Sequence, residues 1–251
     1  MIGIVGGVGP YAGVDLLRKV FNNTLAGSDQ EHLDVVMISM PGSVPERTGY
    51  LLGKVKENPG QAIASVLLKL ESAGATVAGI PCNTAHVSEI FSLITEVLHT
   101  RGARIRVLHM IEETLAFIRA RFSGLSRVGV LSTTGTYLSN LYHHALERAG
   151  YQVVKPSREV QEAFIHPAII HPEFGIKSVS DPVHPRSRGN LEKGFAFLKS
   201  MGAEAVILGC TEIPLAFPER EVMGMTTIDP TEILARALVF RECPEKLKPY
   251  S

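Results

Sequence analysis

Two stretches of this chain occur twice. IGIVGGVG (2–9) is echoed by VGVLSTTG (128–135), and SAGATVAGIPCNT (72–84) by SMGAEAVILGCTE (200–212). Each half runs in the same order: a β-branched strand-like run, a loop, a helical stretch, then Gly-Ala, a second apolar run, and Cys followed by Asn-Thr or Thr-Glu. Self-similarity of this kind marks two copies of one supersecondary plan. The chain is therefore expected to build two pseudo-symmetric lobes.

Each lobe reads as α/β. The runs IGIV (2–5), DVVMISM (34–40), TVAGI (76–80), IRVLHM (105–110), RVGVL (127–131), YQVVK (151–155), EAVIL (204–208) and MTTID (225–229) alternate with helical stretches such as 11–26, 60–74 and 190–202. That rhythm predicts parallel sheets flanked by helices. The last element, 225–240, has no counterpart before residue 1 and is expected to cross back and complete the first lobe. The predicted division is 1–113 plus 217–251 for the first lobe and 114–216 for the second, with a cleft between two facing lobes as the active site. Ligands of open parallel sheets bind beyond the carboxyl ends of strands, where both repeated cysteines stand.

Composition narrows the partners. Lys plus Arg and Asp plus Glu are both 25, so no global field draws in nucleic acid or an anionic membrane. No apolar run approaches the length of a membrane span, and the chain opens on a strand-like MIGIVGG rather than a basic, apolar leader. Three cysteines are an odd number in a chain too large to depend on disulfides. Free thiols in a reducing, cytoplasmic compartment and a small-molecule partner are the expectation.

An isolated Cys82 reads as a small buried hydrophobe. Its repetition as Cys210, at an equivalent strand end, is hard to attribute to packing alone. Both precede predicted helix starts, where the partial positive charge and unpaired N–H groups lower a thiol's pKa and attract anions. Cys243, in FRECPEKLK, has no such setting and reads as structural. A lone thiol beside a histidine points to acyl transfer, whereas two opposed thiols point to taking a proton from one face of a carbon and returning one to the other. The developing carbanion needs donors, for which backbone N–H groups around Asn83, Thr84 and Thr211 are the natural candidates.

GIVGGVGP (3–10), VPERTGYLL (44–52), GIPCNTAH (79–86), PEFGIK (172–177) and GAEAVILGCTEIPLA (202–216), spread over nearly the whole chain, resemble the aspartate/glutamate racemase superfamily, specifically its aspartate racemase-like branch. The branch rests on GGVGP at 6–10 and on GCTE. The resemblance implies two α/β lobes, no cofactor, inversion at Cα of an acidic amino acid with Cys82 and Cys210 as the two bases, and a homodimer. It also makes Arg47, beside Thr48, a clamp for a substrate carboxylate, and Lys177 a second cationic contact; the plain reading leaves both as loop cations. Glu212 either caps or orients the helix start after Cys210 or faces the substrate ammonium. Related isomerases of the same arrangement, acting on hydantoins or maleate, and a non-catalytic ligand-binding protein are the alternatives.

Two rival constellations are present. GVGPYA (7–12) fits the loose dinucleotide-loop pattern, but Pro10 removes a donor and the second strand ends without the acidic residue that would hold a ribose. Gly7 and Gly9 are read instead as a tight turn offering N–H groups to a carboxylate. His166, His171, Asp181 and His184 could ligate a metal, yet their spacing matches no zinc motif and no metal is expected. Each of these histidines precedes proline, which predicts extended loop geometry. His86 either polarises the site or packs.

Overall fold

Five consecutive fully buried residues, Ile2–Gly6, form strand β1. It pairs in parallel on one side with β2 (Val35–Ser39), in register Ile2↔Val35, and on the other with β3 (Val77–Gly79), in register Ile2↔Val77. β4 (Arg106–Leu108) extends the sheet beyond β3, giving the order β2-β1-β3-β4. A strand covered on both faces has no polar side to show, which is why IGIVG reads as an unbroken small and apolar run. The helix Gly60–Ser72 turns Ile63, Val66, Leu67 and Leu70 inward, and Ser88–Thr100 does the same with Ile90, Ile94 and Leu98. That is the spacing of one helical face.

The second half repeats the plan. β5 (Arg127–Leu131) lies between β6 (Gln152–Val154) and β7 (Ala205–Leu208), and the five-stranded sheet has the order β6-β5-β7-β9-β8, where β8 is Glu221–Val222 and β9 is Met225–Ile228. All pairs are parallel except β8 with β9. Strands β6, β5, β7 and β9 thus occupy the places of β2, β1, β3 and β4. The duplicated Ser-x-Gly-Ala has a local cause: after each long helix Gly74 and Gly202 take positive φ (100° and 80°). There Ala75 N–H donates to Leu70 O and Ala203 N–H to Leu198 O, both at 3.0 Å. This closes the helix and aims the chain into the next strand.

The computed structural model describes residues 1–250, and its contacts separate Met1–Thr114 with Thr231 onward from Leu115–Pro230. The segment 225–240 does not return to the first lobe as one piece. Its strand stays with the second sheet, because β7 takes β9 as its neighbour in register Ala205↔Thr226; only the helix Pro230–Glu242 joins the first unit. The return therefore falls after residue 230 and not at 217. At β3 the helix comes so near that a Cβ on Gly79 would stand 2.9 Å from Leu238 Cδ1, so glycine there lets the layers close.

The pre-proline reading needs one correction. His171 and His184 are extended (ψ 133° and 131°), but His166 is helical and opens the segment His166–Ile170. The preceding Gln161–Ile165 is a π-helical stretch. Widened turns of this kind accommodate the clash and the missing donor that Pro167 brings. No helix among the described residues is long and apolar enough to cross a membrane.

Candidate active site

In a doubly wound sheet the chain leaves neighbouring strands in opposite directions at one point, and a crevice opens there beyond the carboxyl ends. In the first unit that point lies between β1 and β3, and in the second between β5 and β7. The four loops involved are Gly7–Gly9, Cys82–Thr84, Ser132–Thr134 and Cys210–Glu212. Each thiol stands at the switch point of its own sheet.

In the first unit Cys82, Asn83 and Thr84 share one turn, and Arg47 is joined to the glycine loop Gly7–Gly9. Cys82 is 6% exposed and extended, and it leads into a single tight turn, Asn83–His86, with Asn83 and Thr84 buried. The α-helix itself starts only at Ser88, so the predicted helix start at the thiol is one 3-10 turn. Gly7 and Gly9 form the β1 turn with φ of 83° and 123°. A Cβ on Gly7 would lie 2.7 Å from Pro41 N. Arg47 is half-buried and not a solvated surface charge: its Nη2 donates to Val8 O at 3.0 Å, tying it to the glycine loop. The short helix Arg47–Leu51 that carries Arg47 and Thr48 is capped by Glu46, which accepts from Thr48 N–H at 3.0 Å and from Gly49 N–H. The motif reading passed over Glu46, although an acidic residue directly before a helix is a recognisable capping signal.

His86 is buried, and its Nδ1–H donates to Cys82 O at 2.9 Å. Its ring stacks on Phe91 and meets His109 edge-on. Burial, then the neighbouring His109, lower its pKa to about 3, so the ring is neutral in the folded protein. The unfolded chain binds this proton near pH 6.5 and the folded chain only near pH 3. Stability conferred by a neutral His86 is therefore full above about pH 6.5 and is lost as pH falls towards 3. Urea midpoints measured across that window should decline with acid in the wild type, and the decline should be shallower by one proton's contribution in His86→Gln. An unchanged slope in the variant removes His86 from this account.

The second unit brings Cys210, Thr211, Glu212 and Lys177 together. Cys210 Sγ–H points at Glu212 Oε2, 3.0 Å away, and Glu212 Oε1 is ion-paired with Lys177. The Thr211 hydroxyl donates to Glu212 Oε2 at 3.3 Å. Glu212 makes no side-chain cap on the following helix Ile213–Ala216, which corrects the capping alternative. Burial first, then the Glu212 charge, push the Cys210 thiol well above its ordinary pKa, with Lys177 pulling the other way. The expected lowering at a helix start is therefore overturned for Cys210: the helix has only four residues, and desolvation with an adjacent carboxylate outweighs it. The β5 loop adds residues that the motif reading missed. The hydroxyls of Thr133 and Thr134 are buried without a hydrogen-bond partner among the described residues. Pairing GGVG with STTG in the repeat was the signal that could have found them.

The loop histidines have structural employment. His166 Nδ1 accepts from Thr134 N–H (3.2 Å), His171 Nδ1 from Glu173 N–H (3.2 Å), and His184 Nδ1 from Arg186 N–H (3.1 Å) at the start of helix Pro185–Ser200. Among the described residues, no three His, Cys, Asp or Glu groups gather as a metal set.

Two mainly parallel α/β sheets share one strand order over four strands, each presenting a buried cysteine where its sheet reverses. The Asp/Glu/Hydantoin racemase family model matches residues 5–238, and the chain belongs to that family. It is similar to the Picrophilus torridus aspartate racemase, at 28% identity and TM-score 0.80, covering 98% of this chain and 95% of that one. The broad specificity amino-acid racemase RacX of Bacillus subtilis (strain 168) is 24% identical over 243 residues, 95% of this chain and 96% of the relative. The fold extends to the glutamate racemase of Francisella tularensis subsp. tularensis SCHU S4, at TM-score 0.62 and 17% identity, covering 100% of this chain and 84% of that one. Family and relatives together support an isomerase of the racemase type.

Proposed function

We propose that the protein inverts Cα of an acidic amino acid, aspartate first and glutamate second, without a cofactor and with Cys82 and Cys210 as its two bases. The observation that carries this reading is the placement of one buried cysteine at the equivalent switch point of each sheet. In one direction the Cys82 thiolate takes the Cα proton and becomes a thiol, while the Cys210 thiol gives its proton to the opposite face and becomes a thiolate. The reverse direction exchanges the roles. An amino-acid Cα–H is a much weaker acid than a thiol, so the carbanion must be stabilised through its carboxylate. The N–H groups of Asn83, Thr84 and Thr211 and the hydroxyls of Thr133 and Thr134 are the donors assigned to it. Arg47, whose planar fork suits a carboxylate, and Lys177 are assigned to the two acidic ends of the substrate, with Gly7 and Gly9 offering further backbone donors. A homodimer belongs to the same proposal and is checked by light scattering.

The test incubates L-aspartate and L-glutamate separately with the enzyme in heavy water, following chirality and Cα deuterium together. Every inverted molecule should carry deuterium, because the incoming proton comes from a solvent-exchanged thiol. Absence of both inversion and exchange supports a non-catalytic ligand-binding protein. Activity confined to hydantoins or maleate in a substrate panel moves the chain to the related isomerases; Arg47 with Lys177 calls for a dicarboxylate, which a neutral hydantoin ring is not, whereas maleate is separated from the acidic amino acids by the assay itself.

A further inference from the structure

The Cys210 thiol has a charged partner. At Cys82 the backbone carbonyl accepts from the neutral His86 ring at 2.9 Å and from Ala85 N–H at 3.1 Å. Cys210 instead meets a carboxylate that is itself 2% exposed and whose other oxygen is paired with Lys177. A carboxylate beside a thiol accepts its S–H hydrogen bond but opposes a thiolate by like charge. A buried carboxylate persists as an anion only when paired, and the ammonium of Lys177, with its side chain 30% exposed, provides that pairing.

We propose that Glu212, held by Lys177, is a positioning residue that keeps Cys210 in its protonated form, so that the resting enzyme is stored with Cys210 as the acid and Cys82 as the thiol available to serve as base. This assignment rests on the two-thiol reading above and adds to it an order between the thiols. Glu212 acts through Cys210 and is not assigned a bond to substrate. Lys177 has two opposing effects: it keeps Glu212 charged, and its own charge favours a Cys210 thiolate.

The test needs no substrate. Alkylation by iodoacetamide follows the thiolate fraction. The rates at Cys82, Cys210 and Cys243 are read separately by peptide mass spectrometry at one mildly alkaline pH, with Cys243 as internal reference. In Glu212→Gln the opposing charge is gone and the Lys177 charge stands unopposed. Cys210 should then alkylate about tenfold faster or more, one pKa unit corresponding to a tenfold change in thiolate, while Cys82 keeps its rate. Glu212→Asp should restore slow alkylation. A Cys210 rate that is unchanged or reduced in Glu212→Gln overturns the proposal. Should Glu212→Gln unfold, with all three cysteines reacting alike and helical circular dichroism lost, the pH profile of alkylation in the wild type decides: a Cys210 rate that rises only at higher pH than the Cys82 rate supports the proposal, and one that rises at the same or lower pH overturns it. Failure of the racemase reading is seen separately, as wild-type protein that exchanges no Cα hydrogen.

Discussion

Serine at either Cys82 or Cys210 should cost racemisation about 10²–10⁴-fold, the range in which a positioned acid or base contributes, while leaving the fold in place. Serine is close to cysteine in shape, but its hydroxyl is far too weak an acid to rest as an anion and so to take a Cα proton at neutral pH. The cost in stability should stay near about 1–3 kcal/mol, that of placing a hydroxyl where a thiol packed. At position 210 Glu212 remains as an acceptor for that hydroxyl. The two variants should also differ from each other. In Cys210→Ser the Cys82 thiol survives, so one enantiomer can still lose its Cα hydrogen to Cys82 and regain deuterium from the same side. In Cys82→Ser the other enantiomer should exchange. Chiral chromatography and proton NMR in heavy water read inversion and exchange in the same sample. A folded variant that racemises at the wild-type rate sinks the two-base mechanism, and loss of fold in both variants returns the cysteines to a packing role.

Much of this site was legible in the letters because a duplication amplifies weak signals. One Cys-x-Thr after an apolar run says little; two of them, each after Gly-Ala and a buried strand, locate both switch points. The strand runs were equally readable, since buried parallel strands are continuous apolar segments. What stayed hidden depends on partners distant in sequence. Nothing local to FGIK and GCTE says that Lys177 and Glu212 form a pair, because the pairing is made by the turn after His166–Ile170 folding onto the β7 loop. The rise in the Cys210 pKa was hidden for the same reason: the sequence shows a helix start, but burial and the placement of Glu212 decide the sign. The segment 225–240 reads as one unit because a strand and its following helix are contiguous in sequence. Hydrogen bonding to β7 and packing on Gly79 send them to different units.

Replacing Phe195 by alanine should be the most destabilising single change in the second unit, at about 3–5 kcal/mol for a buried aromatic truncated to Ala. Phe195 is fully buried on the helix Pro185–Ser200, and its ring lies 4.8 Å from that of Phe217. It belongs to the same apolar cluster as Leu131, Leu208, Ile213 and Cys210. Against a total stability of about 5–15 kcal/mol the loss is a large fraction. At about 2–4 °C per kcal/mol for a protein of this size, the melting temperature should fall by about 6–20 °C. Phe195→Leu, which keeps most of the volume, should lose much less. The cluster also surrounds the proposed acid. Burial is the first cause of the raised Cys210 pKa, so a cavity under the β7 loop should let Cys210 open to solvent and alkylate faster, while Cys82, in a separate core with Ile63, Leu67 and Ile90, keeps its rate. A melting temperature within a degree or two of wild type, or equal acceleration at both cysteines, would show that the thiol's protonated state does not come from the packing of its own unit.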